Sequence, residues 1–336
     1  MRPLSVYSKY AYYLKRFGTT SKLQNMLLNR YELSKRKTTL KSRPFKITID
    51  PGNFCNLRCP GCHTGIKHPE MITPSFLGLS DYQTIFNQFR SHALSVALYN
   101  WGEPFLNKQI FDMIAYTSEN RVGSTIHSNF NLFNERMAED AVKSGLTHIY
   151  LSIDGSTQEA YARYRVKGEL DKVLKNLEIL LETKKRMGSK YPLVTWKFLQ
   201  FDHNIHETEM AADRAKAMGV DAFESFKAYP KLMDIYEEAA DYRKDPSKFD
   251  LNGKVCSGLW SGIYVNSDGS VLPCSLAYRQ NESFGNLLHE SLDAVWNNAK
   301  YRGARQMFSA DFDASEVPLP CKACKYFVNR QCVRPI

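Results

Sequence analysis

The strongest constraint in this chain is where its eight cysteines fall. Cys55, Cys59 and Cys62 form one group; Cys256, Cys274, Cys321, Cys324 and Cys332 form another, with no cysteine between the groups. The N-terminus, Met1-Arg2-Pro3-Leu4-Ser5-Val6-Tyr7, has no apolar stretch leading to a small-residue cleavage site, so no secretory signal is expected. No apolar run reaches the roughly 18 residues that span a bilayer. The chain therefore reads as cytoplasmic. There, structural disulfides are rare and clustered thiols bind metal or do chemistry. An even count also admits a disulfide framework, but a 336-residue chain without an export signal argues against one.

Between and around the cysteines, strand-like and helix-like segments alternate. Short β-branched or aromatic runs at 45–50, 95–99, 124–129, 148–154, 194–200 and 222–229 predict buried strands. Segments of helical period at 81–92 (after Ser80 as N-cap), 108–120, 134–144, 170–187 and 207–218 separate them, the last closed by Gly219. Six strand–helix units in series imply an α/β fold on a parallel sheet, open or curled into a partial barrel. Chemistry in such folds gathers at the C-terminal ends of the strands. The polar stretch 241–254 reads as a linker. Beyond it, Gly262–Val265 and Ser270–Pro273 flank Asn266-Ser267-Asp268-Gly269, a hairpin signal, and a helix follows with Leu292, Val295, Trp296 and Ala299 on one face.

The formal charge is +10, concentrated at the start: residues 1–46 hold twelve Lys or Arg and one acid, Glu32. Leu23, Met26, Leu27 and Tyr31 recur there at helical spacing, which predicts a basic amphipathic helix. Either it packs its apolar face on the main domain, or its basic face meets an anionic surface such as phospholipid or a lipid-linked phosphate. No aromatic-basic nucleic-acid module accompanies it, so nucleic acid is not an expected partner.

Directly after the first strand stands Cys55-Asn56-Leu57-Arg58-Cys59-Pro60-Gly61-Cys62, a C-x3-C-x2-C loop. A [4Fe–4S] cluster normally takes four cysteines, and three leave one iron open to an outside ligand. A zinc site would instead need a fourth ligand, which His63 or His68 could supply. This loop, with Asn100-Trp101-Gly102-Glu103-Pro104, resembles the radical S-adenosylmethionine superfamily. The second segment looks like that family's GGEP motif, matched through Gly102, Glu103 and Pro104; Trp101 departs from the usual first glycine. The resemblance implies that S-adenosylmethionine binds the open iron and is cleaved reductively to a 5′-deoxyadenosyl radical that removes a substrate hydrogen. It also implies cofactor contacts from Ser128 and Asn129, and from Ser152 and Asp154. Arg165 would pair with the cofactor carboxylate, with Arg163 as the alternative, and Trp196–Leu199 would line the adenine. Read alone, the short polar residues could equally be helix N-caps.

In the second group, a cysteine precedes the hairpin, another ends it, and Cys321-Lys322-Ala323-Cys324 returns as a clip. Four thiolates can enclose a cluster or a tetrahedral zinc. The pattern resembles the SPASM/twitch extension of radical S-adenosylmethionine enzymes. A full SPASM extension has seven cysteines, whereas five occur here. The shorter twitch form fits, with one auxiliary [4Fe–4S] cluster on Cys256, Cys274, Cys321 and Cys324. Cys332 is left as an alternative ligand, a buried thiol or a hydrogen-atom donor. The resemblance thus implies a partial (β/α)6 barrel at 45–240, preceded by a basic helical arm at 1–44. A linker at 241–254 and a smaller SPASM/twitch domain at 255–336 complete the expected organisation.

The auxiliary cluster favours oxidation of the substrate radical, and the spare thiol favours epimerisation. Because the arm is too short for a peptide-recognition domain, a small carbohydrate-type substrate is the leading expectation, with a peptide or protein as runner-up. A reductant such as flavodoxin or ferredoxin is implied. The non-enzymatic alternative is a cluster- or zinc-bearing scaffold or redox sensor. It accounts for the cysteines but not for Glu103, Asp154 and Arg165 gathered after successive strands.

Overall fold

Side chains alternate across a strand, so the sequence of each strand decides what meets the helices and what meets the opposite face. In the computed structural model, which describes residues 6–228, 255–309, 315–322 and 324, six strands pair in parallel and in chain order. They are β1 (Lys46–Ile49), β2 (Ser95–Ala97), β3 (Gly123–Ser128), β4 (His148–Ser152), β5 (Leu193–Gln200) and β6 (Ala222–Lys227). The expected linker and Cys332 lie outside the described residues.

Ile47, Ile49, Val96, Ile126, Ile149, Leu151, Val194, Trp196 and Phe198 occupy one face and share a core with Phe86, Met113, Ile114, Leu177 and Leu180 of the covering helices. Cutting Phe86 to Ala there would cost about 3–5 kcal/mol. Those helices are Leu79–Asn87, Ile110–Glu119, Glu135–Lys143, Leu170–Arg186 and Thr208–Met218, each within a few residues of expectation. The first is capped by Gly78 rather than Ser80, and Gly219 closes the last at φ +82°. The periodicity did not reveal one short helix, Gln158–Tyr164, which Thr157 caps by accepting from the Ala160 N–H.

The sheet does not stop at the expected domain boundary. β7 (Gly262–Val265) adds in parallel to the free edge of β1, and β8 (Val271–Leu272) returns antiparallel on it as the predicted hairpin. The C-terminal part therefore grows out of the barrel sheet.

The arm overturns the expectation of a buried apolar face. It forms two helices, Val6–Phe17 and Thr20–Ser34, and on the second Leu23, Leu27 (58% exposed) and Tyr31 (51% exposed) point outward, whereas Met26 packs against Tyr13, Phe17 and Leu94. The docked face joins Met26 and Leu33 to fully buried polar residues. Lys22 donates to the Phe17 and Arg121 carbonyls at 3.1 and 3.0 Å, and Asn29 donates to Ser42 and the Trp260 carbonyl. Glu32, fully buried, accepts from the Lys41 and Ser42 N–H groups and the Ser42 hydroxyl. Such directional bonds fix a helix orientation that apolar contact alone would leave loose. Trp260 and Trp296 donate to the carbonyls of Lys37 and Ser42, pinning the arm to the C-terminal part. Among the described residues no helix is long and apolar enough to cross a membrane.

Candidate active site

The loops after β1, β2, β3 and β4 meet at one end of the sheet, and buried carboxylates hold them. Asp50, at the end of β1, accepts from the Trp101 N–H at 2.9 Å and the Gly52 N–H at 3.4 Å. Burial pushes its carboxyl up to about 7, against those backbone donors and that of Gly102, which lower it. The two loops touch so closely that a Cβ on Gly102 would lie 1.7 Å from the Gly52 carbonyl oxygen. Only glycine permits that approach.

Glu103 is also buried. Its N–H donates to the Phe54 carbonyl at 2.8 Å. Its carboxylate accepts from the Ser128 hydroxyl (2.7 Å), the Asn129 N–H (2.8 Å) and the Phe105 N–H (3.3 Å). Burial pushes this carboxyl, too, up to about 7, against those same donors. Ser128, expected as a cofactor contact, has its hydroxyl engaged within the protein. Its hydroxyl proton goes to Glu103 and its oxygen accepts from the Phe130 N–H, so it braces the β3 end against the Glu103 loop. Asn129, its neighbour, does face the cysteines. Its Nδ2 donates to Asn56 at 2.9 Å and lies 3.8 Å from the Cys55 sulfur.

After β4, the buried Asp154 accepts from the Leu199 N–H at 2.7 Å and from Arg165 Nε at 2.5 Å. Arg165 Nη1 then reaches the Cys59 sulfur at 3.8 Å. Burial alone would weaken this guanidinium's charge, but Asp154, Cys59 and two tyrosines outweigh it and hold Arg165 firmly protonated. Ser152 lies half-buried at the end of the same strand. Trp196 turns away into the core and donates to the Ile153 carbonyl, so of the segment expected near adenine only Lys197 and Leu199 lie on the inner face. Leu199 packs beside Cys55, Cys59, Cys62 and Tyr164.

The cysteine loop is thus surrounded by donors aimed at sulfur: the Leu57 N–H to Cys55 at 3.4 Å, the Asn129 amide and the Arg165 guanidinium. Such donors favour the thiolate that iron requires and tune a cluster bound to it. Among the described residues no group of three His, Cys, Asp or Glu is arranged to hold a single metal ion. His63 is instead stacked on Tyr278 at 3.8 Å, with Trp101 5.1 Å away. Three thiols within one short loop, with donors aimed at Cys55 and Cys59, suit a multi-iron cluster with one uncapped corner.

Cys256, Cys274, Cys321 and Cys324 gather on the C-terminal side, close enough for the Cys321 and Cys274 sulfurs to feel the other thiols. Burial pushes the Cys274 thiol up to about 12. The segment after Cys274 docks on the first loop: the Ile72 N–H donates to the Tyr278 carbonyl, and Trp101 Nε1 to the Ala277 carbonyl at 3.1 Å. Asp50 and the His63–Tyr278–Trp101 contact escaped the sequence reading. Asp50 could have been found, because it occupies the strand-end position used to select the other candidates.

Residues 49–196 match the profile described as the radical SAM superfamily, and residues 256–325 match SPASM, an iron–sulfur cluster-binding domain. The chain belongs to the radical S-adenosylmethionine superfamily. It is an enzyme of that superfamily with a C-terminal SPASM domain, and its cofactors are a [4Fe–4S] cluster, S-adenosylmethionine and auxiliary iron–sulfur centres. It is 24% identical over 320 residues to the PqqA peptide cyclase of Granulibacter bethesdensis, covering 84% of this chain and 79% of that one. Its fold is similar to Streptococcus suis SuiB (TM-score 0.62, 18% identity, 91% of this chain and 76% of that one). SuiB has also been solved with its precursor peptide SuiA. A further fold neighbour is anSMEcpe with bound AdoMet and the Cp18Cys peptide (TM-score 0.56, 15% identity, 86% of this chain and 88% of that one). These proteins match over most of the chain and are named with peptides. The expectation of a carbohydrate-type partner is corrected accordingly.

Proposed function

We propose that this enzyme carries out radical modification of a peptide, forming a new bond within it. The observation that carries this reading is the match to a peptide cyclase along nearly the whole chain, auxiliary domain included. When bound, the catalytic cluster and S-adenosylmethionine supply a carbon radical able to remove a hydrogen atom from substrate. The remaining roles fall to this chain's own residues.

Cys55, Cys59 and Cys62 would supply the three thiolates that hold the catalytic cluster. Asn129 and Arg165 donate toward their sulfurs, and Asp154 fixes the Arg165 fork by taking up its Nε. An arginine oriented in this way suits the cofactor's carboxylate. Ser152 and the backbone of the Gly102-Glu103-Pro104 turn line the same mouth. Glu103 and Ser128 position that mouth, because their side chains bond each other and the backbone. Cys256, Cys274, Cys321 and Cys324 would hold one auxiliary cluster, which would supply an electron acceptor for an oxidative bond formation. We assign the arm to residues 1–44, the barrel to 45–240 and the auxiliary domain to 255–336, with a sheet shared between the last two.

The test is anaerobic reconstitution with dithionite, S-adenosylmethionine and the short peptides encoded beside the gene, followed by mass spectrometry. Bond formation predicts a product lighter by a pair of hydrogens, made with 5′-deoxyadenosine. A product of unchanged mass but inverted stereochemistry would replace bond formation with epimerisation. Cofactor cleavage with no altered peptide would sink the peptide reading.

A further inference from the structure

The inner face of the barrel sheet carries a continuous belt that the cofactor residues do not use. Tyr99, just past β2, stacks on His127 of β3 with ring centroids 3.8 Å apart and planes 11° apart. His127 meets Tyr150 of β4 at 4.5 Å. The ammonium of Lys197, on β5, lies 5.2 Å from the Tyr150 ring and 5.1 Å from the ring of Phe226 on β6. Four rings and one cation therefore cross five adjacent strands, on the side opposite the helix-covered core.

Lys197 is the unusual member. It stands between Trp196 and Phe198, both fully buried on the other face, so alternation places its stem inside the barrel. Among the described residues its ammonium makes no ion pair and no hydrogen bond; its neighbours are the two ring faces. Glu224 is its register partner on β6, yet among the described residues that carboxylate forms no ion pair with it. The charges of Glu224 and, more weakly, Asp154 act on Lys197 without pairing with it, and Asp154 places the ammonium beside the cofactor mouth. Three charged donors, part-removed from water and resting on aromatic faces, are costly to leave unsatisfied. An anionic group arriving with the substrate would satisfy them, while the rings would hold the apolar part of the same residue.

We propose that Lys197 and the Tyr99–His127–Tyr150 belt form a substrate subsite that binds a peptide carboxylate, from an Asp or Glu side chain or the chain terminus, beneath the cofactor mouth. The inference rests on the peptide reading for its choice of substrate.

The experiment uses the full reconstituted chain with S-adenosylmethionine bound and three short probes. They are acetyl-Ala-Glu-Ala-amide, its Gln counterpart, and acetyl-Ala-Ala-Ala with a free C-terminal carboxylate. Affinities are measured by NMR titration on the wild type and on Lys197→Met and Lys197→Gln, and S-adenosylmethionine binding is measured in parallel. A charge-assisted contact predicts at least about tenfold tighter binding of one carboxylate probe over the Gln probe. That preference is expected to vanish in both variants, with S-adenosylmethionine binding retained. Preference for the Glu probe identifies a side-chain carboxylate as the source; preference for the free-acid probe identifies a terminal one. Equal binding of all three probes, no binding of any, or loss of S-adenosylmethionine binding in both variants would overturn the proposal, the last by making Lys197 a cofactor residue. A Lys197-dependent preference in an enzyme that converts no peptide would leave this subsite standing and remove the function it was built on.

Discussion

The two cysteine groups solve opposite problems. In the first, the three cysteines lie within eight residues, but distant parts of the chain hold the loop. Asp50 ties it to Trp101, the Glu103 N–H meets Phe54, Asn129 meets Asn56, and the Arg58 N–H donates to the Val166 carbonyl. In the second, the cysteines run from Cys256 to Cys324, and turns of their own neighbourhood support them beside the barrel contacts of β7, Ala277 and Tyr278. Gly269 turns the hairpin at φ +81°, Asp268 accepts from the Ser270 N–H and hydroxyl, and Glu282 accepts from the N–H groups of Tyr278 and Arg279. A cysteine set close in sequence thus depends on distant barrel loops, and a set spread through sequence adds turns of its own to its barrel contacts. Damage to barrel carboxylates should reach the first group and spare the second.

The largest effect expected is from replacing Cys55, Cys59 and Cys62 together with Ala. Reductant-dependent 5′-deoxyadenosine should disappear while iron falls by about four per chain. Cys274→Ala should lose a similar amount of iron yet still cleave S-adenosylmethionine; iron analysis beside product assay checks both. If either set of substitutions empties both groups, the proposed independence is wrong.

Next in size is Asp154→Ala. It leaves the Arg165 guanidinium buried without its ion-pair partner, a change that costs about 3–5 kcal/mol when one member of a buried pair is removed. A lowered urea midpoint and slower cofactor cleavage should accompany unchanged iron in the second group. Glu103→Ala removes the acceptor of three donors, at about 1–3 kcal/mol for a donor left unsatisfied, partly offset because a desolvated carboxylate is also removed. A net loss of about 2 kcal/mol is expected, readable as a fall in Tm. The smallest effect should come from Leu27→Glu on the exposed face of the arm, within about 0.5 kcal/mol. A larger loss there would mean that this face is covered in the working protein.

The same contrast explains what the sequence disclosed. C-x3-C-x2-C, Gly102-Glu103 and the Asp154–Arg165 pair were legible because each follows a strand in a parallel α/β pattern, where ligand-binding groups are expected. The hairpin was legible from its Asn-Ser-Asp-Gly turn. The bracing partnerships were not, since nothing in Ser128 announces that its proton goes to a carboxylate twenty-five residues earlier. The arm misled for a related reason: Leu23, Leu27 and Tyr31 satisfy helical spacing, but buried hydrogen bonds from Lys22, Asn29 and Glu32 decide which face docks. The aromatic belt was hidden because strands of a curved sheet are covered on both faces, and composition does not separate the helix side from the inner side. The early preference for a carbohydrate rested on the shortness of the arm, and length was a poor guide to the substrate.

The most direct test of the account is isotope transfer from substrate to cofactor fragment. The reconstituted enzyme would be given a peptide substrate deuterated at every carbon, and its 5′-deoxyadenosine would be examined by mass spectrometry. Deuterium in the 5′-deoxyadenosine, lost with Cys55, Cys59 and Cys62 replaced, is the predicted result, because the hydrogen removed comes from the peptide. 5′-Deoxyadenosine formed at full rate without deuterium, beside an unaltered peptide, would contradict it.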